Sequence, residues 1–307
     1  MIRISFTDFW RGFDENNNLI TNILKEIFST PIIVTSPRKA EVCFITICGR
    51  KHKKVINKYR EKCILFLGEN IRPNSFDVPF SLSSDFNTYS GKNIRLPLWY
   101  LDIDWYKTNI GIIKVEDIEQ KLISYGKFKP DDFASRKDCI TIFNNPEGTR
   151  MYMLNKLCKI MSVEAYGKPF KKPLGPKIKN NNLLSAFNPV YCDYHSKIKK
   201  MSEFKFNLCP ENSLYPGYYT EKCLHAKISG CIPIYFADSH VDNDFRKESF
   251  INMYDYLDFE NLINHLLNIK SDYSFLSEFA NEPLLKNMPS LEPHKNFLYN
   301  SIKKIIR

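Results

Sequence analysis

Nowhere in the 307 residues is there an apolar run long enough to cross a bilayer. The opening stretch, Met1-Ile2-Arg3-Ile4-Ser5-Phe6, is too short in its apolar part for a secretory leader and reads as a first strand. The nine cysteines include no C-x-x-C pair and follow no regular spacing, which argues against a zinc site. An odd number of thiols without an export signal predicts reduced cysteines and a cytoplasmic location. The six histidines are scattered, and no H-E-x-x-H occurs. There is no helix-turn-helix, RNA-binding or zinc-finger signature, so nucleic acid is not expected as a partner. Low-complexity segments and internal repeats are also missing.

What is present is charge and aromatic surface. Lysine and arginine number 44 against 34 acidic residues, a formal charge of +10. An anionic partner follows, either a phosphorylated substrate or a membrane surface. The aromatic share of 14% could serve a sugar-handling surface but suits a packed core better. The length suits two ordinary domains.

The order of elements predicts an α/β chain. Strands are expected at 2–6, 32–35 and 42–47, helices at 19–28 and 52–62, and a doubly buried strand at Cys63–Leu67, whose five residues are all apolar. A second alternation starts near Asp138. It has strands at 139–143, 204–209 and 232–236 and helices at 147–161, 219–229 and Phe259–Ile269. The polar stretch 127–137 marks the expected boundary, giving domains 1–133 and 134–307. Residues 167–182, rich in Lys, Pro and Asn, are expected to form a loop.

The most informative block is residues 205–236, KFNLCPENSLYPGYYTEKCLHAKISGCIPIYF. It reads as strand, Gly/Pro turn, helix, Gly stop, strand. Thr220 can cap the helix and Gly230 can end it. The N-terminus of that helix favours an anion such as a diphosphate. Lys222 is misplaced in the first turn on dipole grounds, which suggests that a ligand phosphate supplies the missing negative charge. Glu211 and Glu221 flank the turn as carboxylates able to accept ribose or sugar hydroxyls. A plain helix start with a chance Glu-Lys pair would read the same.

This block resembles the donor signature of the α1,3/4-fucosyltransferases, glycosyltransferase family ten. The matching residues are Glu211-Asn212-Ser213, Gly217-Tyr218-Tyr219-Thr220-Glu221-Lys222, Ala226, Gly230 and Ile232-Pro233-Ile234-Tyr235. Further resemblances lie at Gly68-Glu69-Asn70, Arg95-Leu96-Pro97-Leu98, Asn145, Arg150 and Val163-Glu164-Ala165-Tyr166-Gly167-Lys168. Together they span about residues 2–250. The pattern departs after Gly167-Lys168. There the family has two adjacent asparagines, whereas this chain has Asn180–Asn182 and extra residues at 181–196, so no binding residue is assigned in that loop.

The resemblance implies a GT-B fold, two Rossmann-like domains facing across a cleft, and inverting transfer of fucose from GDP-fucose to an oligosaccharide or glycolipid acceptor. It implies Glu69 as general base, a role consistent with a carboxylate just past a buried strand. It also implies a donor site of Asn145, Arg150, Glu211, Asn212, Tyr218, Thr220, Glu221 and Lys222. On the residues alone, Arg150 could as well be a surface arginine and Glu69 a solvated loop carboxylate. No cofactor is expected, and donor binding should need no divalent metal. Asp102-Ile103-Asp104 resembles the Asp-x-Asp of metal-dependent GT-A enzymes, but is a common tripeptide expected at a surface helix start. Residues 295–307 form an amphipathic pattern. Leu298, Ile302, Ile305 and Ile306 lie on one face, flanked by Lys295, Lys303, Lys304 and Arg307. Such a helix either packs on a domain or makes a peripheral contact with an anionic membrane face.

Overall fold

The computed structural model describes residues 1–170 and 194–307 in full and residues 183–186 through their backbone. The chain divides into two compact units, 1–115 with 289–307 and 116–288.

The first unit holds β1 (Ile2–Thr7), α1 (Leu19–Ile27), β2 (Ile32–Val34), β3 (Val42–Ile45), α2 (His52–Tyr59), β4 (Cys63–Leu67), β5 (Phe80–Ser83), β6 (Asn93–Arg95), and the short pair β7 (Ile103–Asp104) and β8 (Ile113–Lys114). Its six-stranded sheet runs β2-β1-β3-β4-β5-β6, all parallel. β4 is buried at all five positions, as its unbroken apolar sequence predicts. Strand alternation sorts the side chains by face. Ile4, Phe6, Val42, Phe44, Ile64 and Phe66 pack with α1, while Cys43, Ile45, Cys63, Leu65 and Leu67 pack with Ile56 of α2.

The second unit holds α3 (Pro130–Ala134), β9 (Lys137–Ile142), α4 (Gly148–Leu157), β10 (Val163–Tyr166), β11 (Leu183–Ala186), α5 (Tyr194–Met201), β12 (Phe204–Leu208), α6 (Glu221–Ile228), β13 (Ile232–Tyr235), β14 (Ile251–Asn252), α7 (Phe259–Ile269) and α8 (Tyr273–Asn281). Its sheet runs β11-β10-β9-β12-β13-β14, again all parallel. The predicted Gly stop is real. Gly230 has φ +74° and follows α6 in a Schellman arrangement, with Gly230 N–H on the Lys227 carbonyl (2.9 Å) and Cys231 N–H on that of Ala226 (3.0 Å).

The compact units do not follow the expected domain division. The division falls after residue 115, not 133, and the C-terminal segment returns to the first unit. The last helix, α9 (Glu292–Ile306), packs on the face that α1 covers. Leu298 and Ile302 are fully buried there, and Tyr299 stacks on Phe28. Two of the four apolar residues that a membrane contact would need are therefore spent in the core, and Ile305 is partly spent. Burying one such side chain contributes about 1.5–3 kcal/mol, which is why packing wins. The stretch around Asp102 is also not a surface helix. It is a 3₁₀ turn, Leu98–Asp102, running into β7, with both aspartates buried. Of the expected loop at 167–182, Lys168–Phe170 forms a 3₁₀ turn, and 171–182 lie outside the described residues.

Candidate active site

Parallel sheets offer a ligand crevice where the strand order reverses, outside the carboxyl ends of the two diverging strands. In the second unit those strands are β9 and β12. The chain leaves them through residues 143–145 and 209–211, and Arg150 of α4 ties the two exits together. Its Nε and Nη2 donate to the Pro210 carbonyl at 3.2 and 2.8 Å, and its Nη1 to that of Asn145 at 3.3 Å. The guanidinium is only 2% exposed and lies over the Phe143 ring. Burial lowers its pKa, opposed by the Glu211 and Glu147 carboxylates, and it stays charged. Glu147 accepts from Thr149 and Arg150 N–H as the N-cap of α4, which fixes where Arg150 starts. Gly167, at φ +121°, passes so close to the Phe143 carbonyl that a β-carbon could not fit.

Beside this bridge, Glu211 organises the start of α6. It is 2% exposed. Its Oε1 accepts from Thr220 N–H (2.7 Å) and the Tyr235 hydroxyl (2.6 Å), and its Oε2 from Lys222 Nζ (2.9 Å). The Thr220 hydroxyl lies within 2.8 and 2.9 Å of the two oxygens. Two expectations change. Thr220 sits at the N-cap of α6 but makes no side-chain cap, because its hydroxyl is committed to Glu211. The negative charge that Lys222 lacked on its own helix comes from Glu211 inside the protein, not from a ligand alone. Glu211 is consequently an interior anchor with both oxygens engaged, not an open acceptor for sugar hydroxyls. Burial works against the Lys222 ammonium, but Glu211 and Glu221 more than offset it and raise its pKa.

Glu221 stands differently, with one-third of its side chain exposed. Burial pushes its pKa up, yet Lys222, Lys197 and His225 overcome this and hold it well below the usual carboxylate range. It is the ionised carboxylate of this group that remains open to a hydroxyl. Tyr218 is buried, Asn212 half-buried and Asn145 exposed. Sequence reasoning misses two members of this group. Tyr235 enters it only as part of a motif, and Lys197 of α5, whose Nζ lies 2.8 Å from His225 Nδ1, carries no local signal.

In the first unit the order reverses between β1 and β3. Asp8, just past β1, accepts from the backbone N–H groups of Lys51 and His52, each at 2.6 Å, and pairs with His52 Nδ1 at 3.0 Å. Glu69 follows β4 on an exposed turn, where its carbonyl accepts from Ile71 N–H at 2.7 Å. Partial burial raises the Cys48 pKa; a Thr46 hydrogen bond opposes this, and the nearby Glu69 and Asp8 carboxylates add to the rise. Asp8, Cys48 and Glu69 thus share one region. Asp102 and Asp104 are both buried. Asp104 is occupied in accepting from Thr108 and Asn109 N–H at 2.9 and 3.0 Å, so it serves as a loop brace.

Comparison with known proteins accounts for most of the chain. Residues 136–281 match the glycosyltransferase family 10 (fucosyltransferase) C-terminal model, and residues 4–102 match the N-terminal domain of alpha-(1,3)-fucosyltransferase FucT. The chain belongs to the family 10 fucosyltransferases. It is 24% identical over 288 residues to alpha-(1,3)-fucosyltransferase FucT of Helicobacter pylori, covering 86% of this chain and 56% of that protein. It is 30% identical over 151 residues to putative fucosyltransferase R654 of Acanthamoeba polyphaga mimivirus, covering 49% and 24%. The chain thus spans about half the length of the first relative and a quarter of the second. A crystal structure of an alpha1,3-fucosyltransferase aligns with a TM-score of 0.72 at 20% identity, covering 98% of this chain and 90% of that one. The same enzyme class solved with GDP-fucose gives 0.67 at 19%. The fold of this family 10 chain is GT-B, built from two Rossmann-like units.

The structure brings Arg150, Glu211, Thr220, Glu221 and Lys222 to one sheet crevice. Asn145 joins them through its backbone carbonyl. Among the described residues no group of three His, Cys, Asp or Glu side chains is arranged to hold a metal ion.

Proposed function

We propose that this chain transfers L-fucose from GDP-fucose to a glycan hydroxyl with inversion at the sugar carbon. One observation carries the reading. Glu211 holds Thr220 and Lys222 at the start of α6, so an ammonium and a helix N-terminus are fixed side by side next to the buried Arg150. Preorganised positive charge of this kind stabilises a diphosphate leaving group as it gains charge. Glu221 is the carboxylate left to accept a hydroxyl of the donor.

In the reaction, the acceptor oxygen forms a bond to the anomeric carbon while the bond from that carbon to the β-phosphate oxygen breaks. Glu69 takes the acceptor proton, and GDP departs with the electron pair of the broken bond. The family resemblance supports O3 of an N-acetylglucosamine as the attacking hydroxyl, on lipopolysaccharide or a protein glycan. A cytoplasmic location accords with the free cysteines among the described residues. With Leu298 and Ile302 buried, a membrane contact would rest on Lys303, Lys304, Arg307 and the exposed Ile306, which makes it weak and salt-sensitive.

The test is a transfer assay with GDP-fucose, a second purine nucleotide sugar and a UDP-sugar against an acceptor array. Transfer from GDP-fucose alone supports the reading. Transfer from another donor points to a different GT-B specificity. Glycan binding without turnover of any donor would make the chain an inactive binding protein on this scaffold.

A further inference from the structure

We propose that the Asp8–His52 pair is an acceptor-binding device, in which His52 Nε2 hydrogen-bonds a hydroxyl of the sugar acceptor and Asp8 is the residue that positions it. The inference rests on the proposed transfer only in taking a saccharide as the ligand.

The pair stands where the first unit's sheet reverses, at the carboxyl ends of β1 and β3, the place where an open parallel sheet forms a ligand crevice. Asp8 holds an unusual conformation to reach it, with φ +60° on a non-glycine residue. Gly49 leaves the space that the Asp8 carboxylate occupies, since a β-carbon at 49 would collide with Oδ1. Two of the three contacts to Asp8 Oδ2 are the backbone N–H groups of Lys51 and His52, and these explain a remote cap for α2. The third does not follow from capping. It requires an imidazole at position 52, with Nδ1 at 3.0 Å.

A carboxylate only accepts, so Nδ1 carries a proton in this pair and Nε2 is the ring's second polar atom. The Phe76 ring meets the imidazole edge-on at 6.5 Å, which holds its plane from another side. Among the described residues Nε2 has no hydrogen-bond partner, and 13% of the His52 side chain stays exposed against 6% of Asp8. The unengaged nitrogen therefore belongs to an oriented ring on a surface that also carries Cys48 and Glu69. A ring nitrogen held by Asp8, in the region that Asp8 shares with Glu69, suits a second hydroxyl of the sugar whose first hydroxyl is deprotonated.

The experiment uses the full chain and a Gal-GlcNAc disaccharide. ¹⁵N NMR of the histidine rings should show the His52 Nε2 resonance shifting when disaccharide is added without donor. In transfer kinetics, His52→Phe should raise the acceptor KM about tenfold, as expected for one lost hydrogen bond to a bound hydroxyl. Its turnover at saturating acceptor and its GDP-fucose KM should stay within about twofold of wild type on the same scale. His52→Gln, which keeps a hydrogen-bonding side chain, should recover part of the loss. Asp8→Asn tests the positioning role, and because it also weakens the cap of α2, the His52 variants decide the matter. An unchanged acceptor KM in folded His52→Phe overturns the proposal, as does a fall in turnover with KM unchanged. A His52 shift on adding disaccharide in a chain that transfers no fucose supports the pair and sinks the transfer reading. Fucose transfer with no His52 shift does the reverse.

Discussion

The two sheets reverse their strand order differently and close the reversal with opposite charges. The first runs β2-β1-β3-β4-β5-β6, with one strand on the far side of its first strand, and the second runs β11-β10-β9-β12-β13-β14, with two. At the β9/β12 reversal a buried cation, Arg150, gathers backbone carbonyls. At the β1/β3 reversal a buried anion, Asp8, gathers backbone N–H groups. The second unit goes on to interlock Glu211, Thr220, Lys222 and Tyr235 until each oxygen of Glu211 is used. The first unit leaves Glu69 exposed, in no comparable network among the described residues. Architecture and chemistry therefore separate. Both units deliver loops to the same kind of crevice, but one gathers cations around Glu211 and the other carries an exposed carboxylate.

The contrast can be broken most forcefully at Glu211. Glu211→Ala strips Lys222, Thr220 and Tyr235 of their shared partner and should cost about 3–5 kcal/mol of stability, as loss of one member of a buried pair does. GDP binding should weaken with it. Chemical denaturation and calorimetry check this, and a variant that is stable and binds GDP normally would show the network to be dispensable.

A second buried charge sharpens the same point. Lys227 of α6 donates to the Ser249 and Phe279 carbonyls at 3.3 and 3.1 Å. Burial, opposed by Cys223 and Glu282, pulls its pKa from 10.5 down to about 8. A pKa lower in the folded than in the unfolded state means that the unfolded chain binds more protons between those values. Stability should therefore rise with pH across that window and be unaffected by this group below it. The gain is at most about 3 kcal/mol. The difference in stability between wild type and Lys227→Met, followed from pH 7 to 10.5, should change in wild type's favour as pH rises. A constant difference would mean that Lys227 titrates normally.

Glu69→Gln should leave GDP-fucose affinity near wild type and lower turnover by about 10²-fold or more. Stability should hardly move, because the side chain is exposed. Glu221→Gln, by contrast, should weaken donor binding together with turnover. If Glu69→Gln turns over normally, another group is the base and the contrast between the two crevices loses its chemical meaning.

The smallest expected effect is that of EDTA. With Arg150, Lys222 and the start of α6 supplying positive charge, calorimetric GDP-fucose affinity should be the same with chelator and with added Mn²⁺. Binding that appears only with the metal would contradict this.

Some of this was written locally, and local information was enough to read it. Cys63–Leu67 is a strand buried on both faces because five apolar residues in a row suit no half-solvated position. Phe259–Ile269 is a helix with the bounds its periodicity predicts. Gly230 stops α6 because φ +74° favours glycine. The donor block announced its residue types, and family membership follows from them. What tertiary structure alone decided is which groups meet. Glu211 and Lys222 are 11 residues apart, so the dipole argument that looked to a ligand for the countercharge could not see a carboxylate on the preceding loop. The Lys197–His225 and Asp8–His52 pairs are 28 and 44 residues apart, and nothing near either histidine marks its partner. The amphipathic pattern at 295–307 correctly signals a buried face but not what buries it. That was settled by the chain returning to pack beside α1 and β3, where burying Leu298 and Ile302 removes apolar surface from water.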